Sequence, residues 1–241
     1  MSFLAGGLAI AGAGAAAAAL WYALPFAARR ASERRLRERC ARKRMLVLTF
    51  DDGPAPNLTP QLLDLLQQRD AHATFFVLGR RAERVPELLD RIAAEGHEIG
   101  SHSQTHLNAW KSTPLRVCRD VEASYRALSR WIPSDAVFRP PYGKLTLDLW
   151  WNARRHGRRL GWWTDVSGDT HSPLPETAPL LDTLRTRGGG VVLLHDFDRE
   201  TDDTAARAAF VLSLTGALLD LAAAEGWTVG TLSELLSEEG R

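Results

Sequence analysis

The sequence predicts an α/β protein whose strands form a distorted or partly open (β/α) barrel, preceded by a hydrophobic helix. From residue 45 onward, short apolar runs of strand length alternate with longer segments of helical period. This alternation predicts parallel strands joined by right-handed crossovers. Polar clusters follow several of the runs, at the strand ends where such barrels carry their chemistry.

The first element is an uncharged segment. Residues 3–28 carry no charged side chain and are long enough to cross a hydrocarbon core of about 30 Å. We therefore predict a membrane anchor or signal-like segment over residues 1–28, with residues 3–28 in contact with the membrane. A signal peptide is the alternative, but it normally begins with basic residues, and this segment has none.

Residues 29–44 form a basic stretch that we predict to be a linker. It holds nine Lys and Arg and two Glu, a net charge of +7, so the rest of a chain whose total is +1 carries −6. Positive charge confined to a short segment beside an apolar one is typical of juxtamembrane sequence. A nucleic-acid-binding domain would spread that charge over a folded face, so nucleic acid is not expected as a partner.

Seven apolar runs are predicted as strands: residues 45–50, 74–78, 97–101, 136–139, 159–163, 191–194 and 227–229. Six segments between them are predicted as helices: residues 59–69, 86–95, 114–131, 146–156, 175–187 and 202–225. No repeat of solenoid period and no low-complexity stretch follows residue 44, which predicts one domain over residues 45–237. The two cysteines, Cys40 and Cys118, lack CxxC spacing and predict neither a disulfide framework nor a cysteine metal site.

Two motifs carry metal-ligating residues. LTFDDGP ends the first predicted strand with Asp51 and Asp52, and SHSQTH follows the third with His102 and His106. The spacing of the histidines would point both rings to one side if the segment formed a helical turn. One carboxylate and two imidazoles, with a fourth position left for water, form the ligand set of a catalytic zinc site. Because the two aspartates are neighbours, one can bind the metal while the other accepts a proton from water.

These residues resemble the polysaccharide deacetylases of the NodB-homology type, carbohydrate esterase family 4. Five motifs match in order and spacing: TFDDGP at 49–54, ATFFVLG at 73–79, GHEIGSHSQTH at 96–106, RPPYG at 139–143 and LLHD at 193–196. The resemblance covers residues 45–237, which it identifies as the catalytic domain. It implies a metal-dependent hydrolase that removes N-acetyl groups from N-acetylglucosamine-type residues of a polysaccharide, such as peptidoglycan, a chitin-like polymer or an exopolysaccharide.

The resemblance also implies roles for individual residues. Asp51 would be the catalytic base, paired with Arg139, and the metal ligands would be Asp52, His102 and His106. The backbone N–H of Tyr142 would help to hold the oxyanion, while Leu193 would line the pocket for the acetyl methyl group. His195 would be the general acid, supported by Asp169.

One motif departs from the family pattern. The family commonly has tryptophan after the aspartate that corresponds to Asp169, whereas Thr170 and His171 follow it here. We expect Trp163 to supply the missing aromatic wall. The implied cofactor is one divalent ion, with Zn²⁺ favoured and Co²⁺ or Ni²⁺ as alternatives.

Other functions fit the same sequence. An O-acetyl esterase or a small-amide deacetylase could use the same site, and a non-catalytic carbohydrate-binding relic would keep the fold. The side of the membrane stays open as well. The positive-inside rule places the domain in the cytoplasm, whereas a polysaccharide substrate places it outside, so the sequence predicts a single-pass membrane protein without fixing its orientation or oligomeric state.

Overall fold

The computed structural model describes residues 2–198 and 204–237, with side chains from Leu20 onward. Its first element is one long helix, α1 (Ser2–Lys43), which covers most of the predicted hydrophobic segment and nearly all of the basic stretch. The apolar side chains predicted for residues 3–19 lie outside the described ones, as do residues 202 and 203 of a predicted helix.

Six parallel strands follow α1. They are β1 (Met45–Asp51), β2 (Thr74–Val77), β3 (Glu98–Ser101), β4 (Asp165–Val166), β5 (Gly190–His195) and β6 (Thr228–Gly230). Their order is β3-β2-β1-β5-β4, and β6 pairs with the first half of β1. Every residue of β1 is buried, as expected for a central strand covered on both faces. The predicted parallel α/β fold is confirmed.

Two predicted strands, 136–139 and 159–163, are reduced to single bridges at Phe138 and Leu160. The first cannot extend because Pro140 and Pro141 follow Arg139 and proline has no N–H to donate to a ladder. The short strand β4, which we did not predict, lies just beyond the second. The structure therefore corrects the extent of both strands.

The stretch from Leu160 to Val166 nevertheless completes a ring of pairings. Leu160 bridges Phe138, which bridges Ser101 of β3, and further along the same stretch β4 pairs with β5. Since β5, β1, β2 and β3 are successive neighbours, the pairings lead from β5 around to β4 and back. The sheet is a distorted barrel whose weakest members are the two bridges.

Helices cover the outside of this sheet. They are α2 (Leu58–Gln68), α3 (Gly79–Ala82), α4 (Pro86–Ala94), α5 (Pro114–Ala127), α6 (Leu147–Arg155), α7 (Ala178–Arg187), α8 (Thr204–Glu225) and α9 (Leu232–Leu236). A short 3-10 turn spans Pro141–Gly143. In the part of the chain that is described, α8 alone is long and apolar enough to cross a membrane. Its side chains Leu214, Leu218 and Leu221 are buried in the core, as in a core helix.

The basic part of α1 packs against the barrel. Leu36 and Cys40 are buried in the core, and Arg39 donates hydrogen bonds to the carbonyl oxygens of Leu235 and Leu236. The segment predicted as a linker is thus a helix with fixed contacts. Its apolar residues, spaced four apart, face the barrel, and its arginines partly bind backbone carbonyls there.

Candidate metal centre and active site

A cleft of about 790 Å³ opens at the carboxyl ends of the strands. Eight of the ten residues predicted for the site line it: Asp51, Asp52, His102, His106, Tyr142, Trp163, Leu193 and His195. The other two, Arg139 and Asp169, are buried beside it and contact Asp51 and His195 respectively. Residues from distant parts of the sequence meet here because parallel strands all end at the same edge of the barrel.

Asp52, His102 and His106 converge at one point of the cleft. Oδ1 of Asp52 lies 3.1 Å from Nε2 of His106 and 3.5 Å from Nε2 of His102. One ligand atom from each residue lies within 4.8 Å of the other two. Oδ1 of Asp52 is buried and has no hydrogen-bond partner among the described residues. These three residues fit a divalent ion, which would satisfy that oxygen.

The two histidines do not lie on a helical turn, contrary to the prediction from their spacing. Residues 102–106 form a loop in which Ser103 and His106 have positive φ angles of 72° and 64°. Asp120 of α5 holds this loop by accepting hydrogen bonds from the backbone N–H groups of Gln104 and Thr105. The left-handed residues, rather than helical periodicity, bring the ring centroids to 5.1 Å.

The imidazole of His102 is oriented for metal binding. Its Nδ1 lies 2.8 Å from the carbonyl oxygen of Arg139, which can only accept, so Nδ1 carries the proton and Nε2 presents a lone pair. Burial lowers the pKa of His102 to about 3 and also lowers the pKa of His106. Both rings are neutral at pH 7, which is the form that binds metals.

Asp51 forms a buried ion pair with Arg139. Nη1 of Arg139 lies 2.6 Å from Oδ1 of Asp51, and Nε of Arg139 donates to the carbonyl oxygen of Gly161 at 3.0 Å. Burial raises the pKa of Asp51, and the charge of Arg139 lowers it by a smaller amount. The arginine favours the charged carboxylate, but burial outweighs its effect. The result is a carboxylate more basic than usual.

His195 and the buried Asp169 form a second pair. Nδ1 of His195 lies 2.9 Å from Oδ1 of Asp169, and the backbone N–H of His195 donates to Oδ2 at 2.7 Å. Burial opposes the charged imidazolium, but the hydrogen bond and charge of Asp169 outweigh it and raise the pKa of His195 to about 9. The ring therefore carries a proton at neutral pH and presents Nε2 to the cleft.

The turn after Arg139 adopts a strained conformation at the edge of the cleft. Tyr142 has a φ of 58° and its ring centroid lies 4.4 Å from that of His106. Gly143 follows with a φ of 62°, and a Cβ there would collide with Nη1 of Arg29 and the ring of Trp163. A side chain here would have to displace Arg29 or Trp163 and keep a left-handed backbone, so glycine is favoured at this position next to Tyr142.

Several lining residues were not predicted. Arg81, Val166, Phe197 and Asp198 also border the cleft, and the guanidinium of Arg81 stacks over the Phe197 ring at 5.2 Å. Burial lowers the pKa of Arg81. The position of Arg81 just after β2 could have predicted its place in the cleft, because residues beyond the carboxyl end of a parallel strand face the site.

Comparison with known proteins gives the family. Residues 38–161 match the polysaccharide deacetylase family. The chain is 34% identical over 196 residues to the peptidoglycan-N-acetylglucosamine deacetylase of Bacillus cereus, a match that covers 80% of this chain and 89% of that protein. It is 36% identical over 155 residues to the chitooligosaccharide deacetylase of Bradyrhizobium sp., covering 64% of this chain and 71% of the relative.

A solved structure shows the same fold. The peptidoglycan deacetylase PdaC from Bacillus subtilis superimposes with a TM-score of 0.64 at 26% identity, covering 81% of this chain and 91% of that one.

Proposed function

The chain belongs to the polysaccharide deacetylase family, and we propose that it is a metal-dependent hydrolase that removes N-acetyl groups from N-acetylglucosamine-type residues of a polysaccharide. The observation that carries the proposal is the convergence of Asp52, His102 and His106 beside the buried Asp51. Three ligands and a separate proton acceptor are what hydrolysis of a carbonyl compound by activated water needs.

The ligand set suits zinc. Asp52, His102 and His106 would hold a divalent ion, which would supply a Lewis acid able to polarise the acetyl carbonyl and to lower the pKa of water to roughly 7. One carboxylate and two imidazoles bind Zn²⁺ well and also accept Co²⁺ or Ni²⁺. We propose Zn²⁺ as the native ion.

Asp51 is suited to act as the general base. Its Oδ1 is occupied by Arg139, while its Oδ2 faces Nε2 of His102 at 3.7 Å, so the free oxygen points to the metal ligands. This carboxylate takes a proton from the attacking water as the water oxygen bonds to the acetyl carbonyl carbon. Burial makes Asp51 more basic, which favours that transfer.

His195 is suited to act as the general acid. When the C–N bond breaks, the amine nitrogen takes the electron pair and needs a proton, which the imidazolium of His195 donates. Asp169 stabilises that imidazolium. The products are acetate and a free amine. The backbone N–H of Tyr142 would stabilise the tetrahedral oxyanion, and Leu193 and Trp163 would enclose the acetyl methyl group.

The pair of His195 and Asp169 favours an amide over an ester as the substrate. An alcohol leaves as an alkoxide more readily than an amine leaves unprotonated, so a protonated His195 matters most for C–N cleavage. The test is acetate release by the full chain, measured side by side on chitooligosaccharide, peptidoglycan and acetylated xylan, with metal analysis of the same sample. Release from xylan alone would make the protein an esterase, and release from none would support a non-catalytic carbohydrate binder.

We further propose that residues 3–28 anchor the protein in a membrane as a single pass. Helix α1 is continuous through this segment, and its first described apolar side chains, Leu20, Leu24 and Phe26, are 53%, 47% and 57% exposed. Exposed apolar side chains on a helix that projects from a domain suit a lipid environment. Protease treatment of intact and lysed cells determines the side on which the domain lies, where the substrate and the basic stretch make opposite predictions.

A further inference from the structure

Helix α1 runs antiparallel to β1. A single residue, Arg44, joins them. At this junction Ala41 lies against Gly188, which precedes β5, and the carbonyl oxygen of Arg44 accepts a hydrogen bond from the N–H of Thr228 at the start of β6. The C-terminal end of α1 therefore lies at the amino ends of the strands, opposite the cleft.

From there, α1 climbs to the level of the cleft. Between Lys43 and Arg29 a helix rises about 21 Å, which matches the length of about 20 Å that β1 covers between Met45 and Asp51. Nη1 of Arg29 donates to the carbonyl oxygen of Gly143 at 2.7 Å. The same guanidinium lies 4.6 Å from the ring centroid of Trp163. Arg29 thus touches two residues of the cleft wall.

The preceding turns of α1 pass the segment that follows Gly143 of the cleft wall. The ring of Tyr22 contacts that of Trp110 at a centroid distance of 5.6 Å, and Nζ of Lys144 lies 3.8 Å from the Trp110 centroid. Helix α1 extends from there to Ser2. Its N-terminal part therefore projects beyond the face of the barrel on which the cleft opens.

We propose that the cleft opens toward the bilayer and takes its amino sugar from a glycan attached to a lipid of that membrane. The inference rests on the proposed membrane anchor and on the proposed deacetylation. If the membrane begins near residue 28, Arg29 and the cleft wall that it touches lie at the level of the lipid headgroups. A sugar joined to lipid through phosphate projects at that level.

The composition of the rim supports this orientation. Tyr142 and Val166, which line the cleft, are 57% and 51% exposed, and Trp110, which lies near Gly143 on the side of α1, is 43% exposed. Trp and Tyr are the residues that favour the membrane interface. A cationic side chain, that of Lys144, lies over the Trp110 ring. It can bind the phosphates of lipid headgroups or of a lipid-linked sugar.

The orientation can be tested by lipid quenching of a fluorophore on the full chain in vesicles. Lys111→Cys places the fluorophore near Trp110, and Ala224→Cys places it at the far end of α8; both positions are exposed. Cys118→Ser in both variants leaves only the buried Cys40, which should not label. Lipids with a spin-labelled headgroup should quench position 111 at least threefold more than position 224. Equal quenching, or stronger quenching at 224, would overturn the orientation.

The substrate is tested separately, in nanodiscs that hold the full chain. N-acetylglucosamine linked through diphosphate to farnesol is compared with soluble chitooligosaccharide at equal sugar concentration, and we expect acetate release from the lipid-linked sugar to be at least tenfold faster. Equal or faster release from the soluble sugar would refute this inference and leave the proposed function standing. Acetate from neither would refute the proposed function, while the quenching result would still decide the orientation.

Discussion

Nη1 of Arg139 donates a 2.6 Å hydrogen bond to Oδ1 of Asp51, and both side chains are buried. The pair lies directly beside the metal ligands, with Oδ2 of Asp51 3.7 Å from Nε2 of His102. Arg139 stabilises the charged form of the carboxylate, which burial destabilises. Each buried side chain therefore needs the other to remain charged.

Replacing Arg139 should impair the base. In Arg139→Met, loss of the cation raises the pKa of Asp51 further, so the acidic limb of the pH–rate profile should move to higher pH. We expect a loss of about 10²-fold or more in kcat/KM at pH 7. Arg139→Lys keeps the charge but lacks the forked geometry of a guanidinium, so its kcat/KM should lie between those of the wild type and Arg139→Met. An unshifted acidic limb in Arg139→Met would contradict the pairing.

Single substitutions should distinguish the residue that accepts the proton from the residues that bind the metal. Asp51→Asn removes the proton acceptor but no ligand, so it should bind metal at wild-type stoichiometry and lose about 10²-fold to 10⁴-fold in kcat. His102→Ala removes a ligand and should lose both metal and activity. Metal content measured by plasma mass spectrometry and acetate release are needed for both. A metal-free Asp51→Asn would mean that the two aspartates have exchanged roles.

The pair of His195 and Asp169 should control the alkaline limb of the profile. A general acid must be protonated, and the pKa of His195 is about 9, so activity should fall as the pH rises through that value. Asp169→Asn removes the charge that raises this pKa, and the alkaline limb should move to lower pH. His171→Ala, in the adjoining loop, is the matched control and should leave the limb in place.

The turn at Tyr142 and Gly143 should tolerate one change and not another. Because the backbone N–H of Tyr142 is the group proposed to hold the oxyanion, Tyr142→Phe should keep kcat within about threefold. Gly143→Ala places a Cβ against Arg29 and Trp163 at a φ of 62°, a conformation that strains an alanine. It should reduce kcat by about 10²-fold, as loss of an oxyanion donor does. A severe loss in Tyr142→Phe would show that the phenol itself takes part.

The predictable parts of this protein are those that local patterns encode. Buried parallel strands such as β1 and β5 appear in the sequence as apolar runs. The motifs that directly follow two of the predicted strands contain the metal-ligating residues of the site. The convergence of His102 and His106 was predicted through a helical turn, which was wrong because left-handed residues are not visible in a spacing. Arg81 was missed for a related reason, since its place in the cleft depends on tertiary structure.

We did not predict the packing of α1, because nine Lys and Arg within residues 29–44 are typical of a solvated segment. The structure shows that several of them meet backbone carbonyls at helix and strand ends, as Arg39 does at Leu235. Charge composition does not reveal such partners, since they come from distant parts of the chain. The strand predicted at 136–139 was too long, because only Phe138 of this run pairs, through single bridges to Ser101 and Leu160.

Arg29 and Arg30 are neighbours with very different surroundings, which makes them a matched pair. Arg29 is 21% exposed, donates to Gly143 and stacks on Trp163, while Arg30 is 67% exposed. Arg29→Ala should lower the free energy of unfolding by about 1.5–3 kcal/mol, the usual value for a charge-assisted hydrogen bond. Arg30→Ala should change it by less than about 0.5 kcal/mol.

Activity should follow the same division, because Arg29 holds the turn that carries Tyr142. We expect Arg29→Ala to reduce kcat about tenfold with little change in KM, while Arg30→Ala leaves both constants unchanged. Denaturant unfolding and acetate release on soluble chitooligosaccharide, measured on the full chain in detergent, supply the two readouts. If both variants unfold and react like the wild type, helix α1 does not hold the turn at Tyr142 and Gly143, and the contact of Arg29 with Gly143 does not affect catalysis.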